Sequence, residues 1–469
     1  MSFEPRLLRD ALELGTCVAG AWPASCCVAA SGGLDSTVLL TAMAELRDEG
    51  RLAGASLRAI HVDHGLYADS ARWAEDCAAL TARLAVPYDS VRVAAAAARG
   101  ESPEAAARSA RYAALAARLG TGEWLLTAHH ADDQLETVLL QVLRGGGLRA
   151  LTGMPALARF AGGWHARPLL GVRRSDLEGW ARARGLHWLE DPSNRDPRFD
   201  RNYLRLEILP RVRARWPGAV RGVGRIAAQA AEAVGMLDAL AETELAGALH
   251  GHALDLDALS GLSSARWRIA VVAWLRRLGA AIPSAAVLVE LEHTSRRAAA
   301  DRVPCVNWPG LRVHRYRNHL FAERDEAPRP PGAPSVWRTD VPLPLGPAES
   351  IELRPAVGEG LSRSRTPAVL EVSGRQGGEV FRAGPGQHRR PLRKWLQEHG
   401  VLPWRRDRIP LLWDGGVLVA VGDLACAADR AAAPDEPSWR IVWHGRPELT
   451  FAEATGAGCS EWRQRPPLR

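Results

Sequence analysis

Cys26-Cys27-Val28-Ala29-Ala30-Ser31-Gly32-Gly33-Leu34-Asp35-Ser36 is a short apolar run that passes directly into a turn and then a helical pattern. Each residue type in the turn has a physical task. Glycines let the backbone approach a polyanion and tolerate positive φ. Turn N–H groups and the positive end of the following helix form an anion site. Ser31 and Ser36 add hydroxyl donors. Asp35 would repel a phosphate unless Mg²⁺ or a bound partner offsets its charge, which points to a metal–nucleotide role. Without a ligand, the same residues would serve as a Gly-rich strand–helix turn with a polar cap.

Outward from this loop the pattern repeats. Leu57 to Val62, Asp89 to Val93 and Trp124 to Ala128 are further strand candidates, separated by stretches whose apolar residues recur every three or four positions. Such alternation predicts βαβ units and an α/β fold with a doubly wound parallel sheet covered on both faces. Ligands of such sheets sit above the carboxyl ends of the strands. The second strand end carries His61-Val62-Asp63-His64-Gly65-Leu66, where an adenine or ribose would lie; His61 alone also suits a satisfied core histidine. The fourth ends in Thr127-Ala128-His129-His130-Ala131-Asp132-Asp133-Gln134-Leu135-Glu136-Thr137. Asp133 and Glu136, three apart, would share a helix face. They could hold Mg²⁺ or an incoming amine, or simply favour a helix N-terminus.

The 60 basic residues include one lysine, Lys394, so a P-loop lysine is absent from the nucleotide loop, and no G-x-G-x-x-G follows a strand. A net charge of +7 makes a polyanionic partner plausible. The seven cysteines form no C-x-x-C pair and no zinc spacing, which suits reduced thiols. No apolar run is long enough for a membrane span and the start lacks a secretory pattern, so a cytoplasmic location is expected.

The expected divisions are an α/β domain over 1–215, a mainly helical domain over 216–326, a Pro-rich linker over 327–335, a small α+β domain over 336–445 and a tail over 446–469.

The Ser31–Ser36 loop resembles that of the N-type ATP pyrophosphatases, the PP-loop family with an adenine nucleotide alpha hydrolase-like fold, which cleave ATP between the α- and β-phosphates. Taken with Arg144-Gly145-Gly146-Gly147-Leu148, Arg167-Pro168-Leu169-Leu170, Asp191-Pro192-Ser193-Asn194 and Arg201-Asn202-Tyr203-Leu204-Arg205, the chain resembles the tRNA(Ile)-lysidine synthetase family. The resemblance continues beyond the linker in Arg393 to Glu398 and Pro403 to Arg406, with Arg393 and Leu402 standing where that family often has lysine and proline.

It implies an isoleucine tRNA with a CAU anticodon as substrate, ATP as adenylating agent, Mg²⁺, and free L-lysine as the nucleophile. It also implies ATP contacts from Ser31, Gly32, Gly33, Leu34, Asp35 and Ser36, with His61 and Asp63 nearby. Asp35, Asp133 and Glu136 would be catalytic, Mg²⁺ lying at Asp35 and Asp133. Arg108, Arg111, Arg201, Arg205 and Lys394 would meet phosphates or RNA. A homodimer is compatible with the chain. Two rivals are a PP-loop tRNA base thiolase, which would need the paired cysteines this chain lacks, and a non-catalytic RNA-binding protein, which would have no use for all three carboxylates.

Overall fold

The computed structural model describes residues 3–63, 70–93, 103–190, 196–297, 302–324, 334–383 and 388–455. His64 to Leu66, Asp191 to Asn194, most of the expected linker and the end of the tail lie outside them. The chain divides into two compact units, Met1–Met236 and Leu237–Arg469.

The first unit runs α1 (Arg6–Ala19), β1 (Ser25–Ala29), α2 (Leu34–Asp48), β2 (Ser56–Asp63), α3 (Ser70–Arg83), β3 (Tyr88–Arg92), α4 (Pro103–Arg118), β4 (Trp124–Leu126), α5 (Ala131–Leu143), α6 (Leu148–Leu151), β5 (Leu157–Phe160), β6 (Gly163–Ala166) and α7 (Arg174–Ala183). A nearly continuous helical stretch follows: α8 (Asp200–Tyr203), a π-helical turn at Leu204–Ile208, α9 (Leu209–Arg215) and α10 (Ala219–Ala246). The sheet order is β3-β2-β1-β4-β6-β5, parallel except for β5. The order runs outward in both directions from β1 and β4, so the loops after these two central strands open at the same edge. The β5–β6 hairpin was not anticipated from the sequence.

Alternation along β1 sends Cys26 and Val28 into a core with Leu8, Leu12, Leu39 and Trp180 on one face. Cys27 joins Ile60, Leu115 and Leu125 on the other. Val38, Leu39, Leu40 and Met43 of α2 are fully buried, each contributing about 1.5–3 kcal/mol. That anchorage fixes the N-terminus of α2 at the loop.

The second unit holds α11 (Ser264–Arg277) and α12 (Ala285–Arg297). Their Trp267, Trp274 and Leu291 pack with Val313 and Leu320 of a five-stranded antiparallel sheet. That sheet, built from Leu249–His250, Ala253–Asp255, Cys305–Trp308, Leu311–Tyr316 and His319–Arg324, adds to the helices expected there. Two of its strands, Leu249–His250 and Ala253–Asp255, lie in a stretch read as helical; two- and three-residue strands leave too little alternation to detect.

Beyond residue 334, a five-stranded and a four-stranded sheet share Trp337, Ile351, Leu370, Val372 and Ile441. α13 (Leu392–Glu398) packs Leu392, Trp395 and Leu396 into a further cluster with Leu411 and Trp443. Within this unit Arg405 Nη1 meets Glu323 at 3.0 Å and Trp404 stacks on His314 at 4.2 Å, tying the first sheet to the later segment. Among the described residues no helix is long and apolar enough to cross a membrane.

Candidate active site

Ala30 follows β1, and its N–H donates to the Ile60 carbonyl. Gly32 then takes φ +79°, and a Cβ there would come within 3.2 Å of Leu189 Cδ1. The Leu189 N–H donates to the Gly32 carbonyl at 2.9 Å, so the strip at Leu189 backs the loop. Ser36 Oγ donates to the Gly33 carbonyl at 3.0 Å, accepts from the Ser31 N–H at 3.2 Å and lies 3.0 Å from Ser31 Oγ. Gly33 caps α2 with no side-chain hydrogen bond, leaving the first helical N–H groups to a ligand, as an anion site requires.

Asp35 lies in the first turn of α2. Its Oδ1 is buried and has no hydrogen-bond partner among the described residues. Its Oδ2 lies 3.5 Å from His130 Nε2. His130 is the N-cap of α5: its Nδ1 accepts the Asp133 N–H at 3.3 Å while Asp133 Oδ2 accepts the His130 N–H at 3.0 Å. The ring hydrogen therefore sits on Nε2, facing Asp35. Burial opposes a charge on His130, but contact with Asp35 and the charges of Asp133 and Asp132 together raise its pKa above the usual histidine value.

The carboxylates of α5 are engaged by arginines. Glu136 is almost wholly buried. Its Oε1 accepts from Arg205 Nε, and its Oε2 from Arg201 Nε and Arg205 Nη2, each at 2.8 Å. Asp133 Oδ1 accepts from Arg201 and Arg205 at 3.2 and 3.4 Å. Burial pushes the Glu136 carboxyl up, yet the two guanidinium groups hold it below the usual carboxylate range. Asp132 accepts from the Arg174 N–H at 2.8 Å and from Arg213 at 2.6 Å. Arg201, Arg205 and Arg213 thus face α5 across a helix that widens at residues 204–208.

A second cluster gathers arginines around two histidines. His165 Nε2 and His129 Nδ1 each lie 2.8 Å from Thr127 Oγ1, and Arg167 Nη2 lies 3.1 Å from His165 Nδ1. Burial first, then Arg167, pushes His129 down to about 2 and His165 to about 3, so both rings are neutral. Burial also lowers the pKa of Arg111 and Arg167, and among the described residues neither is paired with a carboxylate. Arg108 and Arg111 flank the Tyr112 ring at 5.2 and 5.4 Å.

The remaining expected residues lie apart from these clusters. His61 is buried behind the loop, its Nδ1 2.8 Å from the Ala30 carbonyl. Asp63 ends β2, 3.7 Å from Arg92. Lys394 is exposed on α13 in the second unit. Among the described residues no group of three or more His, Cys, Asp and Glu side chains could hold a metal ion. The sequence reading gave no role to His165 or Arg213. His130 stood out only through the run quoted ahead of the acids, and Arg167 only through its Arg-Pro-Leu-Leu run.

Family models match three segments: a PP-loop domain at residues 11–212, a TilS substrate binding domain at 254–321 and a TilS substrate C-terminal domain at 370–443. Among curated relatives, a tRNA(Ile)-lysidine synthase of Alkalilimnicola ehrlichii is 42% identical over 94% of this chain and 98% of its own length. Those of Methylococcus capsulatus and Pseudomonas aeruginosa are 37% and 40% identical, over 92% and 91% of this chain and 99% and 93% of theirs.

Proposed function

We infer the chemistry of this site from one premise: the chain belongs to the tRNA(Ile)-lysidine synthase family. It uses ATP to ligate free L-lysine to the wobble cytidine of an isoleucine tRNA bearing a CAU anticodon. The C2 oxygen of that cytidine attacks the α-phosphorus of ATP and pyrophosphate leaves. The lysine ε-amine then attacks C2, the C2–O bond breaks and AMP departs with that oxygen. The amine nitrogen loses its protons on the way to lysidine.

The observation that carries this reading is His130, which stands between Asp35 of the anion loop and Asp133 of the carboxylate cluster. One buried ring links the nucleotide end of the site to the amine end. Backbone N–H groups at Gly33 to Asp35 donate to phosphate oxygens, and Arg108, Arg111 and Arg167 offset the charge of ATP and the RNA backbone. Because AMP is a good leaving group, positioning supplies most of the rate.

The free Oδ1 of Asp35 would be the oxygen to hold a Mg²⁺ ion. When bound, that ion neutralises phosphate charge. Asp133 has no open oxygen for it, since both meet His130, Arg201 or Arg205. We assign Asp133 and Glu136 instead to the lysine ammonium ion, which enters by taking the place of a guanidinium group. A carboxylate released in this way can accept the amine proton.

Incubation with ATP, labelled lysine and CAU-anticodon tRNA tests the proposal. Label in tRNA with one AMP released per lysine is expected. AMP formation without lysine transfer, or sulfur incorporation instead, would overturn it.

A further inference from the structure

Arg144-Gly145-Gly146-Gly147-Leu148 and Tyr203 have no task in the chemistry above, yet they form one surface. Gly145 takes φ +76°, and a Cβ on Gly146 would fall 2.3 Å from Ala150 Cβ and 2.8 Å from the Gln141 carbonyl. Only glycines turn the chain this way. The turn leaves Leu143 and Leu148 in the open, 72% and 44% exposed. Arg144 Nη2 reaches Asp200 Oδ2 at 2.8 Å, which ties the turn to the start of α8. There Tyr203 and Leu206 are 49% and 40% exposed.

Tyr203 lies between Arg201 and Arg205, whose guanidinium groups reach Glu136 of α5. The exposed strip is therefore the outer side of the same helices that hold the carboxylate cluster. Cations continue along it. Arg211 and Arg215 follow on the exposed side of α9 with Glu207 as the acid of that stretch, and Arg215 lies 5.7 Å over the exposed ring of Trp216.

We propose that this strip, centred on Tyr203, is a stacking platform for unpaired tRNA bases next to the modified cytidine. The inference rests on the tRNA reading above. Aromatic and apolar side chains bordered by arginines are what single-stranded nucleic acid needs: a face for the base and cations for the backbone. The strip adjoins the reacting site, so a base held there fixes where its neighbour lies.

The test uses the full chain and an anticodon stem–loop RNA carrying 2-aminopurine beside the wobble position. Binding to the wild type should change the 2-aminopurine fluorescence. Tyr203→Ala should lose that change and raise the KM for tRNA about ten- to a hundredfold, with ATP affinity and melting temperature unchanged. Tyr203→Phe should restore both.

Wild-type fluorescence and KM in Tyr203→Ala would overturn the platform while leaving lysine transfer by the wild type intact. A wild type that transfers no lysine would instead remove the tRNA reading, and the stem–loop signal reports on the platform separately. If Leu143→Glu dissolves a self-associated form seen by sedimentation and leaves RNA binding untouched, the strip is a face for a second copy and the proposal fails.

Discussion

The loop at Ser31–Ser36 and the acidic start of α5 meet at His130 but are built on opposite principles. The loop is made largely of backbone, and its one acid keeps a buried oxygen without a partner among the described residues. At α5 each carboxylate oxygen of Asp133 and Glu136 already has a donor. An unfilled polar atom inside a fold is costly unless something arrives to fill it. A filled cluster holds the structure together and gives up a contact only to a competing ion. The first region is poised to bind; the second must exchange.

The sharpest way to break this contrast is Asp35→Ala. AMP formation should fall about a hundred- to a thousandfold, with tRNA affinity nearly unchanged because RNA binding rests on dispersed arginine–phosphate contacts; loss of Oδ2 also takes one partner from His130. Normal turnover, measured by AMP release, would take Asp35 out of the mechanism.

Glu136→Gln should behave in the opposite way. It leaves two guanidinium groups facing a neutral side chain and should cost about 3 kcal/mol in chemical denaturation. Turnover should fall far more than tRNA affinity; a loss confined to stability would make Glu136 a structural helix-start residue. Its carboxyl is depressed in the fold, so the contribution is whole above about pH 4.3 and disappears as pH falls through the lower folded value. The Gln variant should lack that part of the acid transition.

The neutral histidines sharpen the comparison further. His129 and His165 titrate at about 2 and about 3 in the fold, against about 6.5 in the unfolded chain. Between those values the unfolded chain binds the extra protons. Stability is therefore full above about pH 6.5 and falls by about 1.4 kcal/mol per pH unit for each histidine on acidification. Equilibrium unfolding of His165→Gln should show about half that slope.

The smallest expected effect lies in the second unit. If exposed Lys394 contacts a tRNA phosphate, Lys394→Ala should weaken binding similarly for any RNA and lower the salt slope by about one. Lys394→Arg should show a smaller loss, since a guanidinium fork replaces a compact ammonium. A tRNA titration matching wild type at physiological salt would mark the residue as a chance survivor.

The sequence revealed the loop well because its signal is local. Gly32 and Ser36 lie within one turn of each other, next to an apolar run. The four parallel strands were legible for the same reason. The state of the α5 acids was not, because their partners lie 65 and 69 residues away, and an arginine bound for a carboxylate looks the same in sequence as one bound for a phosphate. His130 shows the same limit. Its Nδ1 meets Asp133 within the same helical turn, but its Nε2 faces Asp35 of α2, which only the fold brings within reach. The β5–β6 hairpin and the short strands after residue 248 were hidden by length, since two to four residues give no periodicity to read.

Lys394 also has a practical consequence. Its single ε-amine stands exposed on α13, so amine-directed reagents have one side-chain target in these 469 residues. A dye placed there needs no mutagenesis. A lysine-specific protease has one place to cut, between Lys394 and the buried Trp395. Such a cut requires α13 to unwind first, so its rate would serve as a clock for the opening of that helix, with tRNA present or absent.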